Sequence, residues 1–307
     1  MKIIIFCFMM TFKLIAGETD QYLSGDVELK DAYPVLNQYY NNKINNFCTK
    51  GCEQLTCEKL SDKILSAMLR NVLDIVMRSD AIERYPDESV SAKEYREQSI
   101  YKTAGFPYPF TKLRRTINVG GVYVSTDKFG HLGLIGRNYY RYYLKRLQKE
   151  NNPQAAEKAT VIKGIKNELN ILGYYYNGVL SFGDLEANYQ GLRLAISLCR
   201  GENPYFVKRD NAWVRNFKRE FDIREYINPK MDESYNHSFR KPRLWKKVKP
   251  ILARTYCSLK LNPVYIERIR FYNSVVRPNI NDNYIKEYFS SKPKFDRALE
   301  SPDDLCH

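Results

Sequence analysis

The sequence predicts a mostly α fold: a compact helical core followed by a less regular, basic and aromatic C-terminal extension. Three observations carry that expectation. Residues 55–77 place Leu60, Ile64, Leu65, Met68, Leu69, Val72, Leu73 and Val76 at the 3.6-residue period of a helix that buries one face. Residues 126–149, 155–172 and 182–198 read as further helices, interrupted by Asn151-Asn152-Pro153 and by the turn Gly173-Tyr174-Tyr175-Tyr176-Asn177-Gly178. Beyond Gly201-Glu202-Asn203-Pro204 the texture changes to short basic and aromatic pieces punctuated by Pro229, Pro242, Pro250, Pro263 and Pro278.

From the N-terminus, Met1-Lys2 precedes an apolar run from Ile3 to Phe12, then Lys13-Leu14-Ile15-Ala16-Gly17 before the first acid, Glu18. This is the layout of a secretory signal with cleavage after Ala16 or Gly17, and its apolar core is too short to anchor in a bilayer. The expected organisation is a signal peptide at 1–17, a helical core at 18–200 and an extension packed on it at 201–307. The expected destination is outside the cytoplasm, periplasmic or secreted. Loss of Cys7 with the leader leaves Cys48, Cys52, Cys57, Cys199, Cys257 and Cys306, an even set that predicts disulfides in an oxidising compartment without fixing their pairing. The cluster Cys48, Cys52 and Cys57 has something of a metal knuckle, but no His or Cys closes it at the usual spacing.

Gly105-Phe106-Pro107-Tyr108-Pro109-Phe110 breaks regular structure, and residues 117–124 read as a short strand or extended arm. Thr126 is placed to cap the helix that follows. Gly130, Gly133 and Gly136 recur every third residue within it, which lowers helix propensity but permits a close backbone neighbour.

The net charge of +14 is unevenly spread. From Tyr101 to Arg146 nine basic residues face the single acid Asp127, and Arg240 to Arg254 holds seven basic residues and no acid. Such a field attracts phosphates and carboxylates: nucleic acid, anionic lipid or acidic wall polymers. Export turns the expectation toward an anionic lipid or cell-wall component. Nucleic acid has only charge in its favour, with no zinc finger, helix-turn-helix or RNA-binding aromatic motif. The 25 tyrosines, including Tyr139-Tyr140-Arg141-Tyr142-Tyr143, add amphipathic surface or simply divide between core and rim.

Chemistry concentrates in Ser125-Thr126-Asp127-Lys128-Phe129-Gly130-His131. On a helix, Asp127 and His131 lie one above the other. Glu168 sits among apolar residues of a second helix, while Asp184 with Asn188 one turn on belongs to a third. Buried acids require partners, so convergence would give a satisfied polar network, an acid–base assembly or a divalent-cation site. In the metal version Asp127, His131, Glu168 and Asp184 are the ligands, an oxygen-rich set with one imidazole that suits Mn, Fe, Zn or, less well, Mg. In the metal-free version the same four are the catalytic candidates: His131 is the base, Asp127 orients it, and Lys128 or Arg137 receives negative charge with Asn188 as a further ligand contact. Blander roles exist: Asp127 in a first helical turn, and Asp184 in the third position of a capping box begun by Ser181. No Gly-x-Ser-x-Gly, His-Glu-x-x-His, phosphate loop or dinucleotide fingerprint is present.

The order Asp127-Lys128-x-x-His131, then Lys166-Asn167-Glu168, then Ser181-Phe182-Gly183-Asp184-Leu185 ahead of Gly191 resembles a pattern in exported bacterial proteins of unassigned function. It is similar to small periplasmic lipoproteins and, more distantly, to VanZ-like membrane proteins, over residues 119–194. The resemblance implies that Asp127, Lys128, His131, Glu168 and Asp184 are the shared residues. This chain departs from it in having Asn167 between Lys166 and Glu168, and in lacking a lipoprotein cysteine. The expected function is therefore an exported, envelope-associated helical protein whose Asp/His/Glu centre binds or acts on an anionic envelope component. The alternative is a non-catalytic structural or binding module of the envelope; whether the centre is enzymatic stays open.

Overall fold

The computed structural model describes residues 18–48, 52–108, 112–280, 284–290 and 302–306, so the leader assigned to 1–17 lies outside the described residues. The fold is mostly α. Helix α1 (Tyr33–Asn46) opens on a proline in its first turn, and α2 (Cys57–Arg78) is capped by Thr56, whose hydroxyl accepts from the Lys59 N–H. The apolar stripe read from the sequence is buried as expected: Leu60, Ile64, Leu65, Met68, Val72 and Val76 are at most 2% exposed. A short helix, α3 (Ala92–Gln98), starts with a full capping box between Ser91 and Glu94.

Residues 117–124 are neither a lone strand nor an arm. Strands β1 (Thr116–Val119) and β2 (Val122–Ser125) form an antiparallel hairpin, with Ile117 opposite Val124 and Asn118 opposite Tyr123. Gly120 and Gly121 make its two-residue turn at φ +60° and +85°, the left-handed pair that matches strand twist and that side-chain-bearing residues resist. The hairpin delivers the chain directly into the site helix.

That helix, α4, runs through Lys128–Gly130, a π-helical turn His131–Ile135, and Gly136–Glu150. Thr126 does not cap it: its N–H ends the hairpin by donating to Arg115 O, and no side chain caps the entry at Asp127. At the far end Asn151 takes the left-handed conformation, and Asn152 then accepts from the Ala155 N–H to start α5 (Pro153–Asn167). Helix α5 likewise ends in a π-helical turn, Glu168–Leu172.

Strand β3 (Val179–Leu180) leads into α6 (Phe182–Ser197), which crosses α4. The crossing is close because both helices present glycine: a Cβ on Gly136 would lie 2.5 Å from Gly191 Cα, and one on Gly191 would lie 2.1 Å from Leu132 O. The glycine spacing was thus a packing signal, and it sets His131 of α4 against the first turns of α6.

Beyond residue 200 come the hairpin β4 (Phe206–Arg209) and β5 (Ala212–Arg215), two short 3-10 turns, and strand β6 (Phe239–Arg240), which pairs antiparallel with β3. Two helices follow, α7 (Pro242–Leu259) and α8 (Pro263–Ser274), each with proline in its first turn, where its missing N–H is harmless; Pro250, read as a break, lies inside α7. A final short helix is α9 (Lys286–Ser290). Leu60, Val72, Phe129 and Leu192 share one apolar cluster with Tyr205, Phe221, Ile223 and Met231, so segments on both sides of residue 200 bury a common core.

The six cysteines pair as Cys48–Cys52, Cys57–Cys199 and Cys257–Cys306, leaving no thiolate of the 48–57 cluster for zinc. Cys57–Cys199 ties the start of α2 to the end of α6. Three disulfides are compatible with an oxidising, exported location. Among the described residues no helix is long and apolar enough to cross a membrane.

Candidate metal and acid–base centre

Three pieces of local structure converge beneath the α4–α6 crossing. The β1–β2 hairpin sets Asp127 and Lys128 at the entry of α4, and the π-helical turn begins at His131, one turn on. Ser181 caps α6 by accepting from the Asp184 N–H at 3.0 Å, which orients the first turn and frees the Asp184 carboxylate to point elsewhere. The β3–β6 pairing brings the loop before β6 alongside, and with it Glu233.

Lys128 is the hub. It is 1% exposed, and its Nζ lies 2.7 Å from Asp184 Oδ1, 2.8 Å from Glu233 Oε1 and 3.6 Å from Asp127 Oδ1. Glu233 also accepts from the hydroxyls of Ser181 and Ser238, each at 2.7 Å, and its backbone N–H donates to Gln21 Oε1. His131 Nδ1 is 3.1 Å from Asn188 Oδ1, and its Nε2 is 3.4 Å from Asp184 Oδ1. With the Asn188 carbonyl as acceptor, Nδ1 carries a proton, and Nε2 faces the Asp184 carboxylate.

Several acceptors in this interior have no hydrogen-bond donor: both carboxylate oxygens of Asp127, His131 Nε2 and Glu168 Oε2. All belong to residues no more than 4% exposed. Unpaired buried acceptors are unfavourable by about 1–3 kcal/mol each. One ligand atom from each of Asp127, His131 and Asp184 lies within 4.8 Å of the others. These three residues can hold a metal ion.

The electrostatics separate the acids. Glu233 is held below the ordinary glutamate range: burial opposes ionisation, but the Lys128 charge and the donors from Lys128, Ser181 and Ser238 outweigh it. Asp184 is raised, chiefly by burial, with His131 and Lys128 pulling down and the neighbouring Asp127 and Glu233 pushing up. The two carboxylates are equally near the ammonium, so the difference lies in their other neighbours: Glu233 has two hydroxyl donors and Asp184 has acids. Glu168 is raised well above normal by burial and then by Asp184 and Glu18. Lys128 is raised despite burial because Asp127, Asp184 and Glu233 surround it. Glu18 completes the buried acid field; burial, then Glu233 and Asp184, push it up to about 8.

Of the residues read from the sequence, Asp127, Lys128, His131, Asp184 and Asn188 come together. Glu168 is buried and electrostatically coupled to Asp184 and Lys128, but it falls outside the close ligand group, which contains Asp127, His131 and Asp184. Arg137 does not join the centre: its Nε and Nη2 donate to Asp62 at 2.5 and 2.6 Å, and Arg141 shares that carboxylate. The residue is one and a half turns beyond His131, so the helix carries it away. Asp184's backbone has the expected cap, while its side-chain Oδ1 accepts from Lys128. Sequence reasoning missed Glu233, which lies 105 positions from Lys128, a distance at which no spacing rule operates. Comparison with protein-family models, curated proteins and solved structures finds no match to this chain.

Proposed function

We propose that this is an exported, envelope-associated protein whose buried centre binds one divalent cation through Asp127, His131 and Asp184. The observation that carries the reading is the convergence of those buried ligand atoms, with no hydrogen bond made by Asp127's two oxygens or by His131 Nε2. Charge agrees in sign: the carboxylates of Asp127, Asp184 and Glu233 outnumber the one ammonium of Lys128. Oxygen ligands with one imidazole suit Mn, Fe or Zn. The disulfides and the resemblance to exported bacterial proteins support a periplasmic or secreted location, and the basic surface supports an anionic envelope component as the partner bound or acted upon.

A second reading has its own support. Lys128, Asp184, Glu233, Ser181 and Ser238 form a densely bonded network, as a non-catalytic envelope module would use to fix its fold. Elemental analysis of untagged protein purified without chelator separates the two. The metal reading expects near-stoichiometric Mn, Fe or Zn that is lost in His131→Ala and Asp184→Asn proteins that remain folded. Metal-free wild type that keeps its fold and takes up no added ion leaves the network reading.

A further inference from the structure

Three aromatic side chains stand out of the surface together: Phe106, Tyr175 and Tyr176 are 76%, 74% and 57% exposed. Phe106 and Tyr176 meet edge to face at 6.2 Å, joining the turn after α3 to the turn after α5. Both turns are fastened to α7. Lys241 Nζ donates to Tyr175 O at 2.8 Å and lies 5.1 Å from that ring, and Thr103 reaches Lys247 O at 3.5 Å.

Helix α7 is strongly two-faced. Leu244, Val248, Ile251, Leu252, Tyr256 and Leu259 are buried, while Arg243, Lys246, Lys247 and Arg254 are exposed, with no ion-pair partner among the described residues and no acid in the helix. Exposed rings beside a basic helix face match the boundary of an anionic bilayer, where rings settle at headgroup level and ammonium and guanidinium groups meet phosphate. A soluble polyanion would use the charges but gives the rings no apolar phase to enter.

We propose that Phe106, Tyr175 and Tyr176, with Arg243, Lys246, Lys247 and Arg254 of α7, form a docking surface for anionic lipid bilayers. This deepens the reading of an anionic envelope partner by giving it a class and a place, and it does not depend on a metal in the buried centre. Chelator-treated protein should dock as well as untreated protein, so a failed metal site and a failed docking surface are told apart.

The test is flotation of the disulfide-intact protein with phosphatidylcholine vesicles, with and without phosphatidylglycerol. Binding is expected only with the anionic lipid and is expected to weaken with salt. Each basic residue at such a surface contributes about five-fold, so Lys246→Gln/Lys247→Gln should lower affinity about 25-fold. Phe106→Ser/Tyr175→Ser/Tyr176→Ser should lose vesicle binding while keeping retention on heparin. Lys208→Gln/Arg209→Gln removes the same charge from the exposed β4–β5 hairpin and should bind like wild type, with thermal melts confirming that every variant is folded. Wild type that ignores anionic vesicles overturns the proposal. So does a hairpin variant impaired as much as the α7 variant, or an aromatic variant that binds unchanged.

Discussion

Replacing Lys128 by methionine keeps most of the side chain's length and removes its charge from between three carboxylates. The ammonium lies 2.7 Å from Asp184, 2.8 Å from Glu233 and 3.6 Å from Asp127, with its side chain 1% exposed. Removing one partner of a buried ion pair destabilises by about 3–5 kcal/mol, because the remaining charges have no solvent to accept them. For a chain of this size that lowers the melting temperature by about 10 °C. The sign with pH follows from Glu233, whose folded pKa is held below 4.5. Its contribution is present above about 4.5 and lost as pH falls through the folded value, so the gap between wild type and variant should narrow in acid. Adding Glu233→Gln should recover part of the loss by deleting one stranded charge. Urea unfolding near neutral pH and in mild acid measures this. A loss under about 1 kcal/mol, or one independent of pH, would refute the placement of a charged lysine among ionised acids.

Glu18 should act in the opposite direction, since its pKa is raised from 4.5 to about 8 by burial. That contribution is fully present below 4.5 and is lost as pH rises through about 8; Glu18→Gln should flatten this slope and stabilise the protein near pH 8 by up to a few kcal/mol, read from melts across that range. Gly136→Ala puts a Cβ 2.5 Å from Gly191 Cα, backbone against backbone, and should destabilise by about 1–3 kcal/mol or more, whereas Gly105→Ala, which meets nothing within 4 Å, should be nearly neutral in the same urea titration. Cys57→Ser/Cys199→Ser opens a link between residues 142 apart and should lower stability by about 4–5 kcal/mol; Cys48→Ser/Cys52→Ser, spanning 4, should lower it far less, as calorimetry would show.

Local physics made much of this legible in the sequence. The stripe from Leu60 to Val76 was readable because burial on one helix face leaves a period. The stop at Asn151-Asn152-Pro153 was readable because cap chemistry is confined to a few residues. Asp127 and His131 were linked by helical spacing, and Asp184 by its place after Ser181. What escaped was long-range. Glu233 reaches Lys128 through long-range links, the Gln21 bond to its N–H and the β3–β6 pairing of Val179 with Arg240 and Leu180 with Phe239, which leave no pattern in composition. The π-helical turns beginning at His131 and Glu168 also escaped, since both segments carry ordinary helical residues. Arg137 was misplaced because its attraction to Asp62, on a different helix, has no signature near either residue.

Asp127, His131 and Asp184 are proposed to act together on one divalent cation. Cobalt titration of chelator-treated protein, followed by visible absorption and by thermal shift, addresses it most directly. One ion per chain is expected, with an imidazole-dependent spectrum and stabilisation of about 2.7 kcal/mol at a hundred-fold excess over Kd. Both signals should vanish in folded Asp127→Asn, His131→Ala and Asp184→Asn proteins and persist in Glu168→Gln. Wild type that gives neither signal, or a cobalt site indifferent to His131, would contradict it.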